Sequence, residues 1–254
     1  MDEVPALLRR LWRLPSAGGR LGRRPELDVE RVVRTAVGLA DRDGLAGVTL
    51  AKVAKELGVT AMSLYRHVGS KDDLVVLMED AADGAPPDLD LPEDDWRVGL
   101  RAWANALRDV HRRHPWLADV PFTGPPSGPN AIAWMDAGLR ALRGTGLDEG
   151  DKVGVQMVLA GYVRRTSAAE RQMAERLSGA GTDQAGVERD FGRALARFVD
   201  PDRFPDAARL FASGVFEHPP EGAPEDPADH DFAFGLELIL DGTAAAVEAA
   251  AARR

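Results

Sequence analysis

The segment from Val48 to Leu74 constrains the fold of this chain more than any other part of the sequence. It contains two short runs with helical periodicity, V-T-L-A-K-V-A-K-E-L and T-A-M-S-L-Y-R-H-V, with Gly58 between them. A glycine at this point can adopt the left-handed conformation that lets a helix stop and the chain turn sharply. A third helical pattern begins at Lys71. Each of the three runs is preceded by a residue suited to N-capping, namely Thr49, Thr60 and Ser70.

The two short runs divide into inward and outward positions. Apolar residues at helical spacing are predicted to face the core: Leu50, Val53, Ala54 and Leu57 in the first run, and Leu64 and Val68 in the second. Val59 is expected to fill the turn. The outward surface of the second helix then carries Ala61, Met62, Ser63, Tyr65, Arg66 and His67. Hydroxyl, phenol, guanidinium and imidazole groups on one short helix suit a DNA major groove. An ordinary surface helix is the alternative, but caps, turn and anchors together favour a helix-turn-helix.

The start of the third helix adds a separate indication. Ser70 and Asp73 have the spacing of a capping box, and Asp72 suits the positive end of the helix dipole. Lys71 opposes that dipole. A lysine at a helix N-terminus is explained if a phosphate lies there, since free amides and ammonium then converge on it. A solvated lysine is the other interpretation, and the preceding motif favours the phosphate.

The run L-A-K-V-A-K-E-L-G-V-T-A-M-S-L-Y-R-H-V-G-S-K-D-D-L resembles the tetracycline repressor (TetR) family, over about residues 27 to 82. The resemblance implies an all-helical homodimer whose small N-terminal domain binds a palindromic double-stranded DNA operator and whose variable C-terminal domain binds a small molecule. It also implies the candidate DNA contacts: Thr49, Lys52, Thr60, Met62, Ser63, Tyr65, Arg66, His67 and Lys71. Tyr65 and Lys71 would hold phosphate, and Arg66 would contact a base.

This chain departs from the tetracycline-binding members at three positions of the motif. Those members carry an arginine, a glutamine and a tryptophan where this sequence has Ala51, Ala61 and Arg66. The arginine and the glutamine contact bases in those members. The operator of this protein is therefore expected to have a different sequence.

Composition narrows the class of protein further. The 254 residues include no Cys, which excludes disulfides and thiolate chemistry. No apolar run approaches the length of a membrane span, and no signal sequence is evident, so we expect a soluble cytoplasmic protein.

Residues 1–71 carry 13 Lys+Arg and 8 Asp+Glu (+5), whereas the rest of the chain carries 19 Lys+Arg and 33 Asp+Glu (−14). A basic head and an acidic body fit a DNA-binding protein, although acidic loops alone could produce the same count.

Helical periodicity dominates the chain, which predicts an all-α fold with three parts. These are a basic N-terminal extension at 1–26, the helix-turn-helix domain at 27–82 and a larger helical domain for ligand binding and dimerisation at 94–254, after a Pro-rich linker at 83–93. Residues 199–231 are rich in Pro and acids and are expected to be a mobile loop with one short helix. Outside the motif, helices are predicted at 29–42, 96–114, 130–142, 148–177, 183–198, 207–211 and 231–252.

The C-terminal half resembles the corresponding tetracycline-repressor domain more loosely, through the segments near 112–117, 129–142 and 231–242. Between its central helices the candidate effector-binding residues are Trp103, Leu107, His111, Trp116, Trp134, Met135, Met157 and Tyr162. Such residues also fill ordinary cores. His111 and His114 are expected to be solvated or capping residues, because no carboxylate at matching spacing completes a metal site.

The final helix suggests how two chains would associate. Phe232, Leu236, Ile239, Thr243 and Val247 form a stripe bordered by Gly235 and Gly242. With the apolar half of 153–163 this stripe could build a four-helix bundle across a two-fold axis, and packing within one chain is the alternative. The family resemblance favours dimerisation.

Two functions from different classes follow from the sequence. The first is a transcriptional regulator, a repressor released from its operator by a small molecule. The second is a helical binding module or enzyme that keeps the N-terminal motif only for packing. No Ser-His-Asp order, phosphate loop or dinucleotide fingerprint is present, so we expect no catalysis, metal or cofactor.

Arg20, Arg23 and Arg24 are predicted to form an arm near phosphate or the minor groove, with a disordered basic tail as the alternative.

Overall fold

The computed structural model describes residues 5–14, 27–89, 95–121, 124–178, 183–217 and 227–253. Within these ranges every regular element is a helix and no strand is present. The predicted all-α class is confirmed. No helix of the described residues is long and apolar enough to cross a bilayer.

The described residues of the N-terminal part form one short helix followed by a compact group of four. The helices are α1 (Ala6–Leu11), α2 (Val29–Asp43), α3 (Leu50–Leu57), α4 (Ala61–Val68) and α5 (Lys71–Asp83). Their apolar faces meet in one core, in which Val32, Val53, Leu64, Val68 and Leu74 are all fully buried. The inward positions predicted from the sequence are buried except Leu57 and Val59, which are half-buried at the turn.

The described residues of the C-terminal part form six further helices. They are α6 (Trp96–Arg113), α7 (Pro129–Ala141), α8 (Glu149–Leu177), α9 (Gln184–Phe198), α10 (Pro205–Ala212) and α11 (Pro227–Ala252). Most begin and end within one or two residues of the predicted positions. The exception is α11, whose first turn begins four residues before the predicted start at Asp231. The region expected to be a mobile loop therefore contains an eight-residue helix and the start of α11.

The chain divides into two compact units, residues 1–168 with 239–254, and residues 169–238. The first holds α1 to α7 and parts of α8 and α11. The second contains an aromatic cluster in which Phe191 lies edge-on to Phe211 and Phe216, and these last two stack at 5.5 Å between ring centroids. The boundary near residues 82–94 that the sequence suggests remains a prediction.

Helix α1 packs along α5. Leu11 is buried, an Arg10 guanidinium nitrogen lies 3.3 Å from Asp73 Oδ2, and Trp12 Nε1 donates to the Ser127 carbonyl at 2.9 Å. Leu14, three residues after Leu11, is exposed. Arg20, Arg23 and Arg24 lie outside the described residues, so the predicted arm stays a prediction.

Candidate nucleic-acid interface

Capping residues fix the geometry of the α3–α4 turn. The Thr49 hydroxyl accepts from the Lys52 amide at 3.2 Å, and the Thr60 hydroxyl accepts from the Ser63 amide at 3.3 Å. Gly58 has φ 69° and ψ 29°, the left-handed conformation predicted for it. The two short helices therefore have a defined start, stop and relative direction.

The outer surface of α4 carries the exposed side chains of Met62, Tyr65 and Arg66. Met62 is 71 % exposed and Tyr65 is 48 % exposed, while Leu64 and Val68 are fully buried. Arg66 and Thr60 are exposed, and Ser63 and His67 are half-buried. The structure thus brings the predicted contact residues of α4 to one open surface, in a helix held from behind by two apolar anchors.

The remaining predicted contacts flank that surface. Thr49 and Lys52 are exposed at the start of α3, and Lys71 is exposed at the start of α5. The Ser70 hydroxyl accepts from the Asp73 amide at 2.9 Å, which confirms the predicted cap of α5. Lys52 Nζ lies 3.6 Å from Asp43 Oδ2. A phosphate at Lys52 would therefore compete with an exposed ion pair, which is a weak competitor.

Helix α5 ends on the N-terminus of α7. The buried Asp80 carboxylate accepts from the Asn130 amide at 3.0 Å and the Ala131 amide at 3.1 Å, and the Asn130 side chain donates to the Asp80 carbonyl at 2.8 Å. Burial raises the pKa of Asp80, and these donors oppose the rise. The contact joins α5, the helix that follows α4 in the chain, to the C-terminal part.

Two tryptophans extend this junction. Trp134 Nε1 donates to the Gly84 carbonyl at 3.0 Å, where α5 has just ended. Trp103 Nε1 donates to the Trp134 carbonyl at 2.9 Å, and the two rings meet edge to face with centroids 6.0 Å apart. The end of α5, α7 and α6 are thereby connected by consecutive hydrogen bonds.

A second junction involves α2. Asp41 Oδ1 accepts from Trp116 Nε1 at 2.7 Å and lies 2.8 Å from His114 Nδ1. His114 is the C-cap residue of α6, and Trp116 follows it in a short 3₁₀ turn. The expectation was a solvated or capping histidine; His114 stands at the C-cap position of α6, but its imidazole contacts the Asp41 carboxylate. No sequence signal pointed to the Asp41 contact, which joins residues more than 70 positions apart.

Arg164 of α8 acts electrostatically on three ionisable side chains, Glu79 and Asp83 of α5 and His111 of α6. Burial raises the pKa of Glu79 and raises the pKa of Asp83 to about 7, and Arg164 opposes both shifts. Burial, with a further contribution from Arg164, lowers the pKa of His111 to about 4. His111 is therefore neutral at neutral pH. The expectation that it is solvated or capping is wrong, because it is buried with no partner for Nδ1 among the described residues.

The candidate effector-binding residues occupy different environments. Trp103, Leu107, His111, Trp116 and Trp134 are buried, and Met135 and Tyr162 are half-buried. Trp116 binds Asp41, so its indole nitrogen is engaged at the α2 junction. Met157 is 65 % exposed on α8, so the expectation that it lines an interior site within this chain is not supported. For the others, effector binding stays a prediction.

The apolar stripe expected to form a dimer contact on α11 is largely buried within the chain. Phe232, Leu236 and Thr243 are buried, whereas Ile239 and Val247 are half-buried. Packing within one chain, the alternative considered from the sequence, accounts for most of this stripe. The exposed face of α11 is offset from it and carries Phe234, Leu238, Gly242, Ala245 and Ala249.

Comparison with known proteins matches both parts of the chain. The family model for bacterial regulatory proteins of the tetR family matches residues 32–78, and the model for the tetracyclin repressor-like C-terminal domain matches residues 87–247. The chain belongs to the tetracycline repressor family. Its N-terminal domain is thus the family's DNA-binding domain, and the protein is a DNA-binding transcriptional regulator.

Individual relatives of this TetR-family chain agree with that placement. It is 34 % identical over 250 residues to the HTH-type transcriptional repressor DrrR1 of Streptomyces coeruleorubidus, covering 94 % of this chain and 85 % of the relative. The crystal structure of ActR from Streptomyces coelicolor in complex with actinorhodin matches with a TM-score of 0.68 and 26 % identity, covering 87 % and 96 % of the two chains. Apo ActR matches in fold, with a TM-score of 0.73 at 24 % identity, covering 90 % and 100 %.

Proposed function

We propose that this TetR-family protein is a homodimeric repressor that a small molecule releases from a palindromic operator. The observation that carries the proposal is the open surface of α4, with exposed Met62, Tyr65 and Arg66 on a helix capped at Thr60 and anchored by Leu64. A helix of this kind places several side chains at base edges while flanking groups contact phosphate. Relatives that are named repressors support repression, rather than activation, of transcription.

Release requires that the effector bind two conformations with different affinity. The contacts at Asp80 and at Asp41 tie α5 and α2 to α6, α7 and the following turn. A ligand that moves α6 or α7 would displace the helices that carry α4. In a dimer this changes the separation of the two α4 helices, which must be about 34–36 Å to meet successive major grooves.

The dimer face is assigned to exposed apolar surfaces of α8 and α11. On α8, Met157 and Val158 are more than half exposed, and a Cβ added at Gly154 or Gly161 would meet no atom within 4 Å. On α11, Gly242, Ala245 and Ala249 are exposed. Open apolar and small side chains on helices are typical of close helix packing across a two-fold axis.

Light scattering of size-fractionated protein tests this assignment. Val158→Glu is expected to shift a dimer toward monomer, because each protomer would bury a carboxylate in an apolar interface. Val98→Glu, at a 40 % exposed position of α6, is the matched control and is expected to leave the mass unchanged. Equal masses for both variants and the wild-type protein would place the dimer face elsewhere.

DNA binding is tested with the DNA upstream of the protein's own coding region. Arg66→Ala is expected to weaken sequence-selective binding by about 1–3 kcal/mol per half-site contact and to relax specificity at that base pair. Arg140→Ala, an exposed arginine on α7, is the control and should bind normally. If the Arg66→Ala variant binds DNA as the Arg140→Ala control does, the helix-turn-helix serves only for packing, which is the alternative function.

A further inference from the structure

Helix α1 ends in a turn that an arginine makes in a backbone conformation more typical of glycine. Arg13 has φ 51°, in the left-handed region. The Arg13 amide donates to the Arg10 carbonyl at 3.3 Å. The Leu14 amide donates to the Arg9 carbonyl at 2.9 Å, which completes the two hydrogen bonds of a Schellman motif. A left-handed residue other than glycine or asparagine costs free energy and persists where its surroundings hold it, so the end of α1 is expected to be fixed by contacts.

The first of these contacts is with the corner between α4 and α5. An Arg10 guanidinium nitrogen lies 3.3 Å from Asp73 Oδ2 in the first turn of α5. The same guanidinium lies against Gly69, the C-cap residue of α4, since a Cβ built on that glycine would be 2.7 Å from its nearest nitrogen. Leu11, the next residue of α1, is buried. The corner that ends α4 and begins α5 is therefore in direct contact with α1.

The second contact is with the loop that leads into α7. Trp12 Nε1 donates to the Ser127 carbonyl at 2.9 Å. The next residue, Gly128, is the N-cap residue of α7 and lies against the Asp80 carboxylate. That carboxylate accepts from the first amides of α7. Helices α1 and α5 therefore hold neighbouring residues at the start of α7, and Trp12 is a link to α7 separate from the Asp80 cap.

Together these contacts hold α5 at both ends. Asp80 fixes the end of α5 on α7, and Arg10 fixes Asp73 at its start, about 10 Å away along the helix axis. The two ends of α1 contact different partners, Asp73 and Ser127, through residues only two positions apart. A helix held at both ends does not pivot about either contact.

We infer that α1 is a strap that fixes the α4–α5 corner relative to the start of α7. The strap matters through the proposed repressor function, on which this inference rests, because it acts on the junction through which an effector would displace α4. A fixed junction gives α4 one position relative to α7. In a dimer this favours one separation of the two α4 helices. Arg10 and Trp12 are therefore positioning residues for DNA binding.

Hydrogen exchange measured by mass spectrometry tests the strap without DNA. Trp12→Phe removes the donor to Ser127, keeps an aromatic ring and is expected to speed exchange at the starts of both α5 and α7. Arg10→Gln breaks the ion pair with Asp73 and is expected to speed exchange at the same two places. The expected factor is about three to ten, the effect of losing one hydrogen bond. Leu14→Ala, at an exposed position of the same segment, is the control and should exchange as wild type does.

The effect of each variant on the distant contact distinguishes a strap from two local contacts. If each variant speeds exchange only beside its own partner, α1 does not connect the two places and the inference is wrong. Unchanged exchange in both variants would also overturn it. Circular dichroism establishes that each variant is folded. If Arg10→Gln does not fold, Asp73→Asn replaces it, because that change weakens the same ion pair from the other side.

Operator binding measures the consequence for DNA recognition. Trp12→Phe is expected to bind the full palindromic operator about three- to tenfold more weakly than wild type, because loosened junctions place the two α4 helices at other separations. A DNA with a single half-site requires no fixed separation, so both proteins should bind it equally. Equal loss on both DNAs would show that α1 contacts DNA or supports folding. Unchanged or tighter operator binding would show that the junction does not depend on α1, and either result contradicts the inference.

Failure of the strap and failure of the proposed function give different results. A wild-type protein that binds no palindromic operator would contradict the proposed function. The exchange experiment contains no DNA, so it tests the connection through α1 whatever the result with the operator.

Discussion

The Asp80 carboxylate accepts a hydrogen bond from the backbone amide of Asn130 at 3.0 Å, across fifty positions of sequence. It also accepts from the next amide, that of Ala131. A residue near the end of one helix therefore acts as the N-cap of another. Since α7 has Gly128 at its own N-cap position and no side-chain cap there, Asp80 supplies what the local sequence lacks.

Replacing Asp80 with alanine is expected to destabilise the protein by about 1–2 kcal/mol, because the first amides of α7 lose their acceptor. Relief of the buried carboxylate's desolvation works against this loss and keeps it moderate. Urea unfolding measures the change. Asp88→Ala, which removes an exposed carboxylate, is the control, and equal stability of the two variants would contradict the capping role.

Gly128 is required by the same contact. A Cβ at this position would lie 2.0 Å from Asp80 Oδ1, so Gly128→Ala should cost about 1–3 kcal/mol through displacement of the cap. Gly38→Ala is the matched control within α2, where an added Cβ meets no atom within 4 Å. That variant should gain about 0.5–1 kcal/mol from helix propensity. Thermal unfolding of the two variants measures the expected loss at Gly128 and the expected gain at Gly38. A Gly128→Ala variant more stable than wild type would be inconsistent with the close contact to Asp80.

Gly58 is required by its backbone angle, not by lack of space. An added Cβ there meets no atom, but φ is +69°. Gly58→Ala is therefore expected to lose about 1–2 kcal/mol of stability, and Gly58→Asn less, since asparagine tolerates the left-handed region. Chemical denaturation of the two variants provides the measurement. Equal losses would show that the turn does not depend on this conformation.

Stability should depend on pH through Asp83. The pKa of Asp83 is raised from 3.8 to about 7 in the folded protein. The folded state therefore binds a proton that the unfolded state has released, so the contribution is fully present below pH 3.8 and is lost as pH rises through 7. Asp83→Asn should remove this loss, and its thermal midpoint should exceed that of wild type increasingly from pH 5 to pH 8. A constant difference over that range would contradict the shift.

The local elements of the fold could be predicted from the sequence because their signals are local. Thr49, Thr60 and Ser70 are near-neighbour caps, and Gly58 is a single-residue turn signal, so helix boundaries and the open surface of α4 follow without tertiary information. The same holds for the ends of α6, α7 and α8. These signals act within one helical turn.

The contacts that join the helices could not be predicted in this way. The Asp80 cap on α7, the Trp116 contact with Asp41 and the burial of His111 depend on which distant helices meet. Periodicity identified an apolar stripe on α11 but could not show whether the partner was the same chain or another. The interior position expected for Met157 is wrong for the same reason, because an apolar residue on a helix does not show which face of that helix packs against the rest of the chain.

In the proposed dimer, two copies of α4 contact successive major grooves of one operator. The most direct measurement is the affinity for the operator compared with the same DNA carrying five extra base pairs between its half-sites. Five base pairs rotate one half-site by about half a helical turn, to the opposite side of the duplex. A large loss of affinity is expected for the altered DNA, and no loss is expected when the five base pairs are added outside the site. Equal affinity for all three DNAs would contradict it.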